Sequence, residues 1–446
     1  MGAGVITRQR IGMIVRIGCI CLLVAGFCVE VYHWTRQGSD FWAFWAAGRL
    51  MDRGADPYSV SALSTIPSWQ GSGYRLPFFS PPYVAEMLRP FGLLSFNAAI
   101  ALWTAMSLAA ACVLGYVLLE LCGARATWRS AALMWCVFVA FVPFASSMHY
   151  GQTDLLVACL MAPSWYILTK RRLFWSGAVL ALSAINPQLI LGMGAYYVYR
   201  AVRRGEWTLV AGAASGGAVL AAASLLSPPL VGAWLTSALP RAQAFAASAP
   251  NQVTVLRLWH AAGGGSSSAA LVVAFAAAGG LAVALWKWSH SESIGDDVAV
   301  AVALTLVMTT FAFIQDYMLV LLALPSAWAQ WRRARSWGNS LVLAGWAISF
   351  SGIGGDLITL RHQAIHIVFP FLAIIAAGYG ACLLRRDVMA WAVVCVVGYA
   401  APVLVMHATW PQQVLLIGGQ LAVLVGIGGP AWAPRLVARA ATTASG

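Results

Sequence analysis

FSPPYVAEMLRPFGLLS, residues 79–95, is the stretch on which the topology turns. It is apolar, but it has only 17 residues and carries Glu86 and Arg89. A helix needs about 20 residues at 1.5 Å each to cross a ~30 Å hydrocarbon core. Counted as a crossing, this stretch inverts every later loop and puts most basic clusters outside. Treated as a half-buried juxtamembrane helix, it leaves all of them inside. The rule that cytoplasmic loops carry the excess of Lys and Arg selects the second reading. The clusters Arg8/Arg10/Arg16, Arg125/Arg129, Lys170-Arg171-Arg172, Arg200/Arg203/Arg204, Lys287, Arg332/Arg333/Arg335, Arg385-Arg386 and Arg435/Arg439 are then cytoplasmic, 19 of the 27 basic residues. Outside remain Arg36, Arg49, Arg53, Arg75, Arg89, Arg241, Arg257 and Arg361. That is fewer than the long outside loops would hold if charge followed loop length.

Composition sets the solvent. The chain has 446 residues, 61% hydrophobic and 9% charged, with a mean hydropathy of +0.78. A water-soluble domain carries about 25% charged residues. Apolar runs recur end to end without alternation of period two, which selects an all-α membrane helix bundle over a β-barrel. The expected spans are about 12–33, 97–119, 131–147, 153–169, 173–185, 187–200, 207–227, 268–288, 298–314, 316–330, 339–353, 364–384, 388–406 and 412–428, some 12 to 14 crossings in one membrane domain. The first run ends in His33-Trp34-Thr35 without a small-x-small cleavage site and reads as a retained helix. Both termini fall inside, and residues 34–96 and 229–267 form the long external loops. The segment 261–270 is a flexible stretch.

The net charge of +13 does not indicate nucleic acid. The basic residues punctuate apolar runs instead of forming a stripe with interleaved aromatics. The 21 tryptophans sit mostly near the ends of those runs, as interfacial belts. Of the nine cysteines, eight fall within apolar spans and Cys122 lies at a basic helix end, so no disulfide framework is expected. His362 and His366 have i, i+4 spacing but no third ligand in sight, so neither metal nor cofactor is expected.

The first external loop holds SDFWAFWAAGRLMDRGADPY, residues 39–58. Arg49, Asp52 and Arg53 share one helical face, while Phe41, Phe44, Trp45 and Met51 cover much of the other. This reads as an amphipathic helix lying in the membrane interface, closed by the GADPY turn. Asp40 stands at its start. A partly desolvated carboxylate there can act as a general base near neutral pH, or Ser39 or Asp40 can simply cap the helix.

That loop, together with FFSPPYVAEMLRPFGLL (78–94) and HYGQTDLLVACL (149–160), resembles the polyprenyl-phosphate-dependent glycosyltransferases of the GT-C superfamily, family 87. ALSAINPQLILGMGAYYVYRAVRRGEW (181–207), PNQVTVLRLW (250–259) and FIQDYMLVLLALP (313–325) continue the resemblance in the same order, over about residues 35–330. It implies a multi-spanning enzyme of the bacterial inner membrane. Such an enzyme moves a mannose- or arabinose-like sugar from a polyprenyl-phosphate donor to a lipid or glycan acceptor on the periplasmic side. It also implies that Asp40 is the catalytic base of an inverting transfer without a metal.

A prenyl-phosphate leaving group needs cations and an apolar groove. Arg75, Arg241, Arg257 and Arg361 are the external candidates, with Arg257 preferred for its apolar flanks, although a snorkelling interfacial arginine looks the same in sequence. Gln152, Asp154, Asn186, Gln315 and Asp316 are candidate sugar or acceptor contacts. Asp154 equally suits a helix dipole, and Asp316 a cap. Two positions depart from the family pattern: Asn186-Pro187 stands where Lys-Pro is usual, and Gln315-Asp316 where His-Asp is frequent. The alternatives are a lipid-linked sugar flippase, which predicts midplane charges and inverted repeats, and a non-catalytic membrane subunit.

Overall fold

The computed structural model describes residues 38–71, 73, 75–248, 254, 266–291, 293–309 and 313–333. The expected spans at 12–33, 339–353, 364–384, 388–406 and 412–428, and Arg257, Arg361, His362 and His366, lie outside the described residues. The described part is built of helices with no strand among them, an all-α membrane protein. In chain order the helices are α1 (Ser39–Asp52), α2 (Val60–Ser64), α3 (Pro82–Gly92), α4 (Phe96–Leu121), α5 (Trp128–Ala140), α6 (Val142–Tyr150), α7 (Asp154–Thr169) and α8 (Leu173–Leu182). A short 3-10 turn, Pro187–Ile190, leads into α9 (Leu191–Arg204), followed by α10 (Trp207–Ser224), α11 (Pro228–Ala233) and α12 (Leu239–Ser248). Then come α13 (Ser266–His290), α14 (Ile294–Met308), a 3-10 helix at Ile314–Ala323 and α15 (Leu324–Arg333).

Among the described residues, three helices are long and apolar enough to cross a bilayer: α4, α10 and the Ala270–His290 part of α13. Helix α4 starts where the Ser95 hydroxyl accepts from the Ala98 N–H at 3.4 Å. Its 26 residues extend about 39 Å, more than a hydrocarbon core. Helices α10 and α13 leave Val219, Leu271 and Phe275 exposed, apolar surface suited to lipid tails. Helix α3 has 11 residues, about 16 Å, and is too short to cross.

Four expectations differ in the structure. The span expected at 131–147 is broken at Phe141, whose backbone is extended (φ −94°, ψ 104°). Pro143 explains the break: it lacks an N–H, and its ring excludes the carbonyl four residues earlier. The expected external loop 229–267 begins as helices α11 and α12 joined by a π-helical turn at Trp234–Ala238. The span expected from 316 opens as a 3-10 helix.

The largest difference concerns α1. Instead of lying against lipid, it is sunk in protein, with Phe41, Trp42, Ala43, Phe44, Trp45, Ala46, Ala47, Gly48, Leu50 and Met51 all buried. Trp45 Nε1 donates to Leu94 O at 3.0 Å, and Arg49 Nη1 to Gly92 O at 3.2 Å, so the C-terminal end of α3 is clamped onto α1. Phe41 packs on Trp103 of α4 with centroids 5.1 Å apart and on Phe91 at 6.0 Å. These aromatic contacts and the indole donors explain why an amphipathic pattern was filled by protein. The interior offered both apolar surface and carbonyl acceptors.

The bundle has two chemically different ends. At one, Arg200 is fully buried and donates to Glu206 through Nε at 2.5 Å and Nη2 at 2.7 Å, while Arg171 reaches Glu206 at 3.2 Å. Tyr196 OH donates to Asp297 Oδ2 at 2.7 Å beside them. Helix α7 runs from Asp154 to this arginine end over 16 residues, about 24 Å. Asp154 therefore marks the opposite end.

Helices α8 and α10 pack backbone to backbone. A Cβ added at Gly212 would overlap Phe174 O, and one at Gly177 would overlap Leu209 O. Small residues at such a crossing let two membrane helices approach without a solvent-driven term. Gly212→Val should force the pair apart and destabilise the protein by about 1–3 kcal/mol. A lowered thermal midpoint in detergent would register this, and an unchanged midpoint would refute the close crossing.

Candidate functional site

Asp40 occupies the first turn of α1, and the helix is entered through Gly38 with φ +61°, with no side-chain cap. The capping role open to Ser39 or Asp40 is therefore not taken. Ser39 Oγ donates to Asp40 Oδ1 at 3.2 Å, and Gln152 Nε2 donates to Asp40 Oδ2. Gln152 is presented by the turn between α6 and α7. There the Gly38 N–H donates to His149 O at 2.9 Å, and the Gln152 N–H to Ser147 O at 2.9 Å. Gly151 closes that turn at φ +71°, and a Cβ on it would lie 2.6 Å from Phe41 Cβ. A side chain at Gly38 would likewise overlap Ile100. Two glycines in the left-handed region thus flank the backbone contact between Gly38 and His149, and the Asp40–Gln152 bond, 112 residues apart in sequence, follows from it.

Asp40 is a half-buried residue of a helix that does not span the membrane. Burial pushes its carboxyl up from 3.8 to about 6, against the hydrogen bonds from Gln152 and then Ser39, which favour the charged form. A carboxylate so placed accepts a proton near neutral pH while an amide that cannot take the proton holds it in position.

Behind Asp40 the structure gathers four of the other sequence candidates. Gln152 touches it directly, and the Asp154 carboxyl, 1% exposed, feels its charge. Asp154 is hydrogen-bonded to Asn186 at the start of the 3-10 turn before α9, and it meets Asp316. Asp316 is 4% exposed and accepts from the Phe313 N–H at 2.7 Å, so it caps the 3-10 helix as well as facing Asp154. Gln315, beside it in sequence, is buried. Four segments distant in sequence thus converge at one end of the bundle. Two buried oxygens of the α6–α7 region, Ser147 Oγ and Asp154 Oδ2, have no partner among the described residues.

The two cationic candidates among the described residues, Arg241 and Arg75, have other partners. Arg241 donates to Tyr58 O, to Ser237 O at 3.1 Å and to Ser237 Oγ at 2.9 Å, which fastens α12 to the first loop. Arg75 is exposed and donates through Nε to Ile66 O at 3.1 Å. Several positioning residues gave no sequence signal. Tyr83 OH donates to Ala184 O, Tyr58 OH to Ser80 O at 2.8 Å, and Trp42 Nε1 to Pro67 O at 3.1 Å. Each acceptor is a main-chain carbonyl, which residue type does not reveal. Gly38 and Gly151, flanking the acidic and HYGQTD motifs, were the readable clue.

The model of glycosyltransferase family 87 matches residues 78–314, more than half of the chain. The chain belongs to glycosyltransferase family 87. It is similar to a polyprenol-phosphate-mannose-dependent alpha-(1-2)-phosphatidylinositol pentamannoside mannosyltransferase of Mycobacterium tuberculosis (strain CDC 1551 / Oshkosh). The two are 28% identical over 131 residues, covering 29% of this chain and 30% of that protein. No solved structure matches. The family 87 match includes Gln152, Asp154 and Asn186, starts after Asp40 and stops just before Gln315 and Asp316. In this family 87 chain the link between Asp40 and the matched region is therefore physical: the hydrogen bond to Gln152.

Gln152→Leu removes a donor to the charged form and should raise the Asp40 titration above about 6. Infrared or NMR titration of the carboxyl, compared with wild type, measures the shift. A fall, or no change, would mean that Gln152 does not hold the carboxylate.

Proposed function

We propose that this membrane glycosyltransferase moves a mannose- or arabinose-like sugar from polyprenyl phosphate to a hydroxyl of a lipid or glycan acceptor on the extracytoplasmic face. Asp40 takes the hydroxyl proton. The acceptor oxygen then forms the new bond to the anomeric carbon as the bond from that carbon to the phosphate oxygen breaks. The prenyl phosphate leaves with the electron pair, and a single displacement inverts the centre. The observation that carries this reading is the Asp40 carboxyl itself, pushed up to about 6 and held by Gln152. The donor named for the mycobacterial relative, polyprenol-phosphate-mannose, favours mannose among the sugars.

Gln152 orients the base, and Asn186 and Gln315 are proposed to reach sugar or acceptor hydroxyls. For the donor phosphate, Arg241 is the weaker candidate because it already donates to three oxygens. Arg257, with Arg75 and Arg361, is the set to test. The extracytoplasmic assignment rests on the basic clusters, since Arg171, Arg200 and Arg204 share the end of the bundle opposite Asp40.

In membranes supplied with radiolabelled polyprenyl-phosphate mannose, Asp40→Asn should reduce transfer by about 10²–10⁴-fold, the usual contribution of a general base. Undiminished transfer would remove Asp40 from the chemistry. The base works deprotonated, so wild-type activity should fall as pH drops through about 6 and level off above it. A profile flat down to pH ~4, the range of an ordinary Asp, would contradict the raised carboxyl.

Sidedness is separable from chemistry. A cysteine at position 60 should react with an impermeant thiol reagent from the periplasm, and one at position 125 should not. The reverse pattern would turn the site to the cytoplasm.

A further inference from the structure

Two carboxyl groups next to the proposed base have no task in the transfer as described. Asp154 opens α7, and Asp316 lies in the 3-10 helix 162 residues later, yet their side chains are in hydrogen-bonding contact. Both are closed off from solvent, at 1% and 4% exposure. Asp154 Oδ2 receives no donor from the described residues, whereas one Asp316 oxygen accepts from the Phe313 N–H. Asn186 is the polar partner on the other side of Asp154. No Lys, Arg or His among the described residues acts on either carboxyl, and the other charge in range is Asp40, of the same sign. Two ionised carboxylates in buried contact repel each other strongly, and no cation among the described residues offsets that repulsion. A proton between them removes the repulsion and makes one the donor to the other.

We propose that Asp154 and Asp316 hold one proton between them and act as a positioning pair for Asp40. This rests on the reading of Asp40 as the base. The shared proton has two effects. It pins the first turn of α7 to the 3-10 helix, which fixes the α6–α7 turn and hence Gln152. It also limits the cluster to two negative charges instead of three when an anionic prenyl-phosphate donor approaches, and leaves Asp40 as the carboxylate exposed enough to meet an acceptor hydroxyl. The pair then has no need to touch substrate, in contrast to the sugar-binding role its residue types suggest.

The test combines infrared spectroscopy of the full chain in nanodiscs with the transfer assay. Wild type at neutral pH should show the carbonyl stretch of a protonated carboxyl, shifted in heavy water. That band should be lost in both Asp154→Asn and Asp316→Asn, because an amide N–H then takes the place of the shared proton. The Asn variants, which keep shape and hydrogen bond, should transfer more sugar than Asp316→Ala. Asp316→Ala, which leaves Asp154 unpartnered, should lose about tenfold or more.

Absence of the band in wild type, its persistence in both Asn variants, or Asn variants as inactive as Asp40→Asn would each overturn the proposal. The infrared result stands even if wild type transfers no sugar, in which case the functional reading fails alone. An active wild type without the band would sink the pair and leave Asp40 in place.

Discussion

The chemistry at the Asp40 end depends on one steric constraint, the close approach of the chain at Gly38 to the turn at Gly151. Both adopt left-handed backbone that glycine takes without strain, and a Cβ at Gly151 would overlap Phe41 Cβ. Once these backbones touch, α1 cannot lie on a lipid surface. It is drawn into a pocket walled by α3, α4 and the α6–α7 turn, where Phe41 and Trp103 seal it. The carboxyl of Asp40 goes with it, half out of water. A raised carboxyl is therefore a consequence of backbone geometry, and the side-chain hydrogen bonds from Gln152 and Ser39 moderate it without creating it.

The two ends of the bundle solve opposite electrostatic problems. At the arginine end, a fully buried guanidinium is matched by Glu206 with two short charge-assisted bonds, and Arg171 adds a second cation. Burying that charge is tolerable because it is paired. At the Asp40 end, three carboxyls gather with amides, the Ser39 hydroxyl and a backbone N–H as their partners, which supply hydrogen bonds but, among the described residues, no counter-charge. The 16-residue α7 holds these two environments about 24 Å apart, a large part of a hydrocarbon core. A cationic end and an acidic end at that separation are what a membrane enzyme with a fixed orientation would show, because lipid and potential act on the two interfaces differently.

Much of this was legible in the sequence, at the level of class and candidate residues. Apolar runs and scarce charge identify a helical membrane bundle, and the shortness of residues 79–95 keeps α3 from being counted as a crossing. Acids beside turn signals mark Asp40, Asp154 and Asp316 for attention, and the structure brings them together. What composition does not encode is partner choice. The pattern in α1 specifies an apolar face but not whether lipid or protein covers it. Protein did so, because carbonyls at Leu94 and Gly92 were in reach of the indole of Trp45 and the guanidinium of Arg49. The break at Phe141 was available from Pro143 but is masked by continuous hydrophobicity, which a sliding reading of spans weights above a single proline.

Among three neighbouring carboxyls, exposure decides which can be the base. A base must reach the proton of an incoming hydroxyl, within hydrogen-bonding distance or through one water. Asp154 and Asp316 are walled in by α6, α7, α14 and the 3-10 helix, and each already faces the other. Asp40 alone of the three is half open, and its two hydrogen bonds come from side chains that supply hydrogens without competing for the proton. Asn186 fits the same arrangement. A neutral amide at Asn186 meets Asp154 without supplying a positive charge, which fits the proton proposed to be shared by the acids behind Asp40.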